Sequence, residues 1–355
     1  MPDASTPPQR IDQRGKSDCV VSLKNGDSFA VNKNELLLMG ALRQGISYPH
    51  TCTVGTCGKC KTKLLGGRIS PLVDFALSPL TNRELSEGYV LACQAKVRSN
   101  LEIDVRLLDH DLILPRPMVG EITGWKILPG DVIDLRVTFE KPFTFQPGQY
   151  GALAVSGSYV RRSFSFYDPA PGPEGTREVG FLIKRLPKGR FSDWLARWDR
   201  RGVRIWMEAP FGQMGIEDRA SDALCIAGGT GIAPVLSIAN DRLTRFPERK
   251  LTIIFGVRSE GDLFALDKLE AIRARAPKSV RIIPILSHEP AGSAWTGHRG
   301  LVTDAIGDDL GMDVRRAAAF VCGSLPMVLA VEDRLKALGM PEAHIHADKF
   351  EPSGL

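Results

Sequence analysis

The sequence predicts a multidomain α+β and α/β protein: a small unit of strands around a cysteine-rich loop, then an antiparallel β-barrel, then a doubly wound parallel sheet. Three observations predict it. Cys52, Cys57, Cys60 and Cys93 are spaced as one set, three of them in a loop dense in glycine and threonine. Between about residues 117 and 217, short apolar runs are punctuated by Pro-Gly turns, the rhythm of a barrel. After about residue 218, strand and helix patterns alternate, as in a parallel sheet with crossovers.

A chain of 355 residues has room for two or three domains. The expected boundaries are a disordered Pro/Ser/Thr tail at 1–16, a first domain at 17–108, a linker at 109–116, the barrel at 117–217 and the α/β domain at 218–355. A net charge of +5 with no dense Lys/Arg block leaves no nucleic-acid footprint. The first ten residues carry no apolar leader, and the longest aliphatic run, 36–42, is too short for a bilayer. The expectation is a cytoplasmic monomer without membrane or nucleic-acid partners.

In the first domain, residues 19–23 and 28–31 read as strands around Asn25-Gly26, a two-residue type I′ hairpin signal. Residues 35–43 read as a short helix, and 89–93 and 101–105 as late strands. Barrel strands are expected at 131–139, 151–155, 162–166, 179–184 and 203–207, with one helix at 191–198. In the last domain 223–227, 251–257, 280–286 and 318–322 read as buried parallel strands.

Seven cysteines, an odd number without a secretion signal, point to metal or reactive thiols rather than a disulfide framework. Cys52-x4-Cys57-x2-Cys60 followed by Cys93 is the plant-type [2Fe–2S] spacing. Soft thiolates suit iron–sulfide chemistry, and Gly55 and Gly58 let the loop curl around a cluster. The alternative is structural zinc, but zinc ribbons show two C-x2-C pairs and here the second is missing. Cys19 reads as a buried strand thiol.

Downstream, Arg162-Ser163-Phe164-Ser165 places an arginine and an aromatic on one strand face. The guanidinium can pair a pyrophosphate, the ring can pack on a ring system, and the serine can hydrogen-bond a flavin nitrogen. Lys184, which ends a strand nearby in sequence, is also expected to contact a cofactor. Gly189-Arg190-Phe191-Ser192 opens a helix, whose free N–H groups suit phosphate. A polar strand end and a helix cap are the plain alternatives. Next, Gly228-Gly229-Thr230-Gly231-Ile232-Ala233-Pro234 joins an apolar strand to a helix. Its pattern is G-x-G-x-x-P, not the dehydrogenase G-x-G-x-x-G. Cys322-Gly323-Ser324-Leu325-Pro326-Met327 repeats the arrangement, so two glycine turns line one crevice.

Taken in order, these segments resemble the ferredoxin–NADP⁺ reductase superfamily with an N-terminal plant-type ferredoxin domain. More narrowly, the chain is similar to the reductase components of bacterial multicomponent, ring-hydroxylating oxygenases of the naphthalene dioxygenase type. PGQY at 147–150, GGTGIAPVLSI at 228–238, FGVRSEGDLF at 255–264 and HIHADKF at 344–350 carry the likeness. The resemblance implies a β-grasp ferredoxin domain, an FAD-binding antiparallel β-barrel and an NAD-binding doubly wound sheet. It implies that Arg162 contacts the flavin pyrophosphate, that Phe164, in place of the family tyrosine, packs on the flavin ring, and that Ser165 lies near flavin N5. Gly189, Arg190, Phe191 and Ser192 take the second flavin motif. Gly229, Thr230, Gly231, Arg258, Gly323 and Met327 take the nucleotide. Cys322 sits near the hydride path, with a buried strand-end thiol as its plainer reading. Asp348 and Phe350 match the acidic-x-aromatic ending, although Phe350 is not the terminal residue.

The implied cofactors are a [2Fe–2S] cluster, FAD and NADH. NADH is preferred over NADPH because Ser287-His288-Glu289 lacks the arginine expected at a 2′-phosphate and carries an acid. The implied chain runs from NADH through FAD and the cluster to a terminal oxygenase, or an intermediary ferredoxin, docking on the cluster domain. Alternatives are the reductase of a diiron monooxygenase or deoxysugar dehydratase system, and a redox-sensing interaction module. The six histidines include no Rieske set, so the oxygenase is another chain. His344 and His346 are expected on one face of a terminal strand. Residues 16–108 hold 12 Lys/Arg against 8 Asp/Glu. Lys59, Lys61 and Lys63 beside Cys60 could meet an acidic partner, or form a solvated strand face.

Overall fold

Alternating apolar and polar residues set the first hairpin. The computed structural model describes residues 18–50, 53, 55, 58–71, 79–108, 113, 115–155, 160–186, 189–215, 221–307 and 310–350. In it β1 (Asp18–Leu23) pairs antiparallel with β2 (Ser28–Asn32) and buries Val21, Leu23, Phe29 and Val31. The turn is not the expected type I′. Only Gly26 is left-handed, at φ +96°, and the Leu23 N–H bonds the Asp27 carbonyl at 2.8 Å. The Asn25 side chain accepts the Asp27 N–H at 3.2 Å, an Asx turn that keeps Asn25 out of the left-handed region. The result is a three-residue loop with glycine at its last position.

Helix α1 (Leu37–Arg43) starts later than expected, because Glu35 serves as an anchor. Its carboxylate accepts from the Asn32 N–H at 3.0 Å and from Arg43 at 3.0 Å. Strands β3 (Lys61–Gly66) and β4 (Ile69–Pro71), helix α2 (Asn82–Ser86), and β5 (Tyr89–Leu91), β6 (Ala95–Val97) and β7 (Leu101–Asp104) complete this part. The five-stranded sheet has the order β2-β1-β7-β3-β5, with β1 and β7 parallel and its other pairs antiparallel. This is a β-grasp arrangement. Strand β3 escapes sequence reading because lysines flank its one fully buried residue, Thr62. The strand expected at 89–93 stops at Leu91, and a turn carries Cys93 off the sheet.

The described residues of 117–209 and 213–350 form one compact unit, and the described residues up to 116, with 210–212, form the other. In the larger unit the barrel comprises β8 (Arg116–Leu128), β9 (Val132–Phe143), β10 (Tyr150–Val155), β11 (Arg161–Ser165), β12 (Thr176–Lys184) and β13 (Arg204–Phe211), with helix α3 (Arg190–Ala196). Its order is β11-β10-β13-β8-β9-β12. A bridge between Phe166 and Phe181 joins the two edges and closes the sheet. Phe139, Phe143, Phe145, Phe166 and Phe181 fill the interior. Strand β8 was not expected. Its glycines, Gly120 and Gly124, weaken the pattern, and the register shifts between Ile122 and Gly124.

The α/β part holds β14 (Ala223–Gly228), α4 (Ile232–Arg245), β15 (Leu251–Val257), α5 (Leu266–Arg275), β16 (Val280–Leu286), β17 (His298–Arg299), β18 (Ala318–Ser324), α6 (Leu325–Ala337) and β19 (Ile345–Phe350). The order is β17-β16-β15-β14-β18-β19, every pair parallel. Strand β14 sends Cys225 and Ala227 into one core and Leu224 and Ile226 into the other. Burial on both faces explains its unbroken apolar run. The order reverses between β14 and β18, which puts the ligand crevice outside their C-terminal ends. Among the described residues no helix is long and apolar enough to cross a membrane.

Candidate functional site

The cysteine loop lies in the smaller unit. Cys60 precedes β3, and Cys93 lies in the turn after β5. Both are 2% exposed, and their sulfurs are 3.3 Å apart. That is well beyond a disulfide bond of about 2.05 Å, so two buried thiols converge without a covalent bond between them. Cys52 and Cys57 lie outside the described residues. Gly55 and Gly58 take φ +96° and +73°, and Thr53 is left-handed too, a backbone path that glycine makes accessible. A Cβ on Gly55 would lie 2.9 Å from Gln94. Gln94 turns its amide toward the Cys93 sulfur at 3.8 Å. Thr62 donates to the Cys60 carbonyl at 3.1 Å and shares a 2.5 Å hydrogen bond with the fully buried Tyr48 hydroxyl. Burial pushes that phenol's pKa up, so it stays a neutral partner. Converging buried thiols in a glycine-shaped loop fit a thiolate-ligated cluster.

Of the neighbouring lysines, Lys61 pairs with Glu84 and Lys63 sits 5.5 Å from the Tyr89 ring. Lys59 is exposed. The Lys61 ammonium, with the Thr81 backbone and hydroxyl, holds the Glu84 carboxyl down to about 2.

In the barrel, Arg162 and Phe164 share one half-buried face of β11, and Ser163 is exposed on the other. The Phe164 ring lies 5.4 Å from that of Phe191 on α3. The two tetrapeptides, far apart in sequence, therefore meet in space. Ser165 is 5% exposed. Gly189 caps α3 tightly: a Cβ there would stand 2.5 Å from the Ser192 Oγ. Ser192 accepts the Leu186 N–H at 3.1 Å, which fixes the loop entering the helix. Arg190 is exposed. The Lys184 ammonium donates to the Gly130 carbonyl in the β8–β9 turn.

At the switch point, residues Gly229–Gly231 make a 3₁₀ turn between β14 and α4, and Thr230 is half-buried. Gly229 has φ +53° and open space where a Cβ would be. Gly231 has none: a Cβ would lie 2.2 Å from the Cys322 carbonyl oxygen. Cβ atoms on Gly228 and Gly323 would strike the Met327 side chain at 2.4 and 2.6 Å. The two glycine turns thus pack directly on each other and leave Gly229 facing outward, a cradle suited to a pyrophosphate. Arg258 is exposed just after β15. Glu289 accepts the Glu260 N–H at 2.7 Å, which lowers its pKa. Cys322 is fully buried opposite Asp348 on β19. Burial and that carboxylate drive its thiol well above the ordinary value. Phe350 ends β19 opposite Ser324, half-buried against the core that holds Cys322.

His344 lies in a 3₁₀ turn before β19 rather than on the strand, and His346 stacks on Phe320 at 5.2 Å. The expected shared face is therefore absent, because Pro341 sets a turn that runs through His344. Sequence reading also passed over Gln94 and Gly180. Gly180 sits mid-strand in β12, and a Cβ there would be 2.1 Å from the Tyr167 ring. A lone glycine inside a strand pattern is the signal that could have found it.

Residues 22–98 match the 2Fe-2S iron-sulfur cluster binding domain, and residues 225–333 match the oxidoreductase NAD-binding domain. The chain is 35% identical over 325 residues to the xylene/toluene monooxygenase electron transfer component XylA of Pseudomonas putida, covering 92% of this chain and 91% of that protein. It is 32% identical to the reductase component of the naphthalene 1,2-dioxygenase system of Pseudomonas putida, covering 90% and 94%. The Amycolatopsis cytochrome P450 reductase GcoB superposes with a TM-score of 0.81 at 29% identity, over 94% of this chain and 100% of that one. The ferredoxin reductase in carbazole 1,9a-dioxygenase does so at 0.74 and 25% identity, over 95% and 99%. An iron–sulfur unit, a flavin-type barrel and a nucleotide sheet in one chain, with relatives matched almost end to end, place it: the chain belongs to the family of iron–sulfur flavoprotein reductases that serve bacterial oxygenase systems as their electron-transfer components.

Proposed function

We propose that this reductase carries electrons from NADH through FAD and a [2Fe–2S] cluster to the terminal oxygenase, or its ferredoxin, of an aromatic ring-hydroxylating dioxygenase system. The observation that carries the reading is the presence, in one chain, of converging buried thiols at Cys60 and Cys93 and of two glycine turns packed at a sheet switch point. Bound flavin supplies the exchange between the two electrons of NADH and the single electrons of a cluster.

The chain's own residues bind and orient. Arg162 and Arg190 meet the flavin phosphates, with the Gly189–Ser192 turn shaping the approach. Phe164, backed by Phe191, walls the flavin ring, and the Ser165 hydroxyl meets a ring nitrogen. Gly229, Thr230 and Gly231 seat the nicotinamide nucleotide, with Arg258 at its rim. Gly323 and Met327 support that turn from behind. Cys322 and Asp348 form a dry floor, and Phe350 stands at the mouth. Cys52, Cys57, Cys60 and Cys93 ligate the cluster. The exposed Lys59 and the aromatic-backed Lys63 offer an acidic partner its first contact. The carboxylate of Glu289 near the ribose end favours NADH over NADPH.

Stopped-flow mixing with each nucleotide tests this, following flavin and cluster absorbance separately. NADH should reduce flavin first and the cluster second, and NADPH should be slower. Cluster reduction ahead of flavin would overturn the order. A second reading, service to a monooxygenase, is favoured by the 35% likeness to the xylene/toluene monooxygenase component. The purified oxygenase that restores substrate turnover decides between them.

A further inference from the structure

We propose that Lys268 and Tyr167 form a clamp that fixes the flavin-bearing strand β11 against the nucleotide-bearing sheet, making Lys268 a positioning residue for hydride transfer; this rests on the NADH-to-flavin reading above. Tyr167 lies two residues beyond Ser165. Although it follows a barrel strand, its ring belongs to the α/β core, packed with Val132, Leu182 and Met214. One side of the ring lies against Gly180, where any Cβ would clash. Lys268, on α5, stands 4.9 Å from the ring centroid. Its ammonium is also 3.6 Å from an oxygen of Asp134 on β9. The Tyr167 hydroxyl donates to the other Asp134 oxygen at 2.8 Å and accepts from Arg136 at 2.9 Å. Arg136 in turn holds Asp168 at 3.1 Å, and Asp168 accepts the Gly180 N–H at 2.5 Å.

Of the other charged groups in this network, Asp134, Arg136, Asp168 and Glu178 belong to the barrel, and Asp267 lies beside Lys268 on α5 at 3.8 Å. Among the described residues Lys268 alone reaches the barrel groups from the α/β side. Among the described residues it is the one ionic tie between the barrel, through Asp134 on β9, and α5, and the same ammonium faces the Tyr167 ring that follows β11. A cation over a tyrosine face, with a carboxylate beside it, is attractive and directional. The transfer step oxidises NADH to NAD⁺ and reduces flavin by the same two electrons. Its rate depends on donor and acceptor alignment, and a misplacement of about 1 Å costs on the order of 100-fold.

The test compares wild type, Lys268→Met and Lys268→Arg as FAD-loaded full chains. Flavin reduction is followed by stopped flow over a range of NADH concentrations. Lys268→Met keeps the apolar stem and loses the charge. Its limiting reduction rate should fall about tenfold or more, with FAD content and the half-saturating NADH concentration unchanged. Lys268→Arg, which restores a cation over the ring, should recover most of the rate. A wild-type rate in Lys268→Met overturns the clamp. So does a rate loss that tracks loss of FAD or of NADH affinity, which would mark a merely structural role. If wild-type flavin were not reduced by NADH at all, the functional reading would fall first, and the clamp with it.

Discussion

Gly231→Ala and Gly229→Ala, neighbours in one turn, should fail in opposite ways. At Gly231 the new methyl would meet the Cys322 carbonyl at 2.2 and 2.6 Å and the Gly323 nitrogen at 3.1 Å. These are backbone atoms of a buried strand that cannot rotate aside. The β14 turn and β18 must separate by about 1 Å, an overpacking cost of about 3 kcal/mol. For a unit of this size that lowers the melting temperature by about 6–12 °C. At Gly229 the methyl enters open space, and only the left-handed backbone is strained, at about 1 kcal/mol. There the methyl should instead obstruct the approach of the pyrophosphate, raising the NADH dissociation constant about tenfold, or about 1.4 kcal/mol. Thermal melts of the FAD-loaded protein and titration with NADH under anaerobic conditions read the two effects. Equal melting temperatures for the two variants, or unchanged NADH affinity in Gly229→Ala, would refute the assignment of one glycine to packing and the other to ligand.

Three further outcomes are expected. Ser165→Ala should slow flavin reduction about tenfold, about 1.4 kcal/mol, without a matching fall in melting temperature; an unchanged rate removes Ser165 from the flavin site. Glu84→Gln should destabilise the cluster unit at neutral pH, as read by urea midpoints. Because the folded carboxyl is held down to about 2, the stability it contributes is present above about pH 4.5 and is lost as pH falls toward 2, so the two proteins should converge in acid. Cys225, whose thiol burial raises to about 12, and Cys322 should resist iodoacetamide at pH 8 in the native protein and react on unfolding, as read by mass spectrometry; native labelling of either would contradict their placement in the core.

Much was legible along the chain because local physics set it. The C-x4-C-x2-C spacing, the apolar runs of β14, β15, β16 and β18, and the glycine turns that follow β14 and β18 are all local patterns. The elements that sequence reading missed are those whose pattern depends on a distant neighbour. Strand β3 reads as charged until Thr62 is seen buried between Lys61 and Lys63. Strand β8 reads as irregular until its glycines meet β9. Asn25-Gly26 looks like a two-residue turn until the Asn25 side chain bonds Asp27.

The sequence by itself determined the three motif-bearing segments and their order, because cysteine spacing, an arginine-aromatic-serine strand and a glycine turn are each legible within a few residues. Only the tertiary structure decided which side chains share a site. It brought Phe164 onto Phe191 and sent Lys184 to the β8–β9 turn. It gave Gly231 to packing and left Gly229 open, and it drew Tyr167 into the α/β core beneath Lys268. The reason is physical: a hydrogen bond, a steric gap of a few ångströms or a cation over a ring depends on atoms far apart in the chain, and no local pattern records that distance.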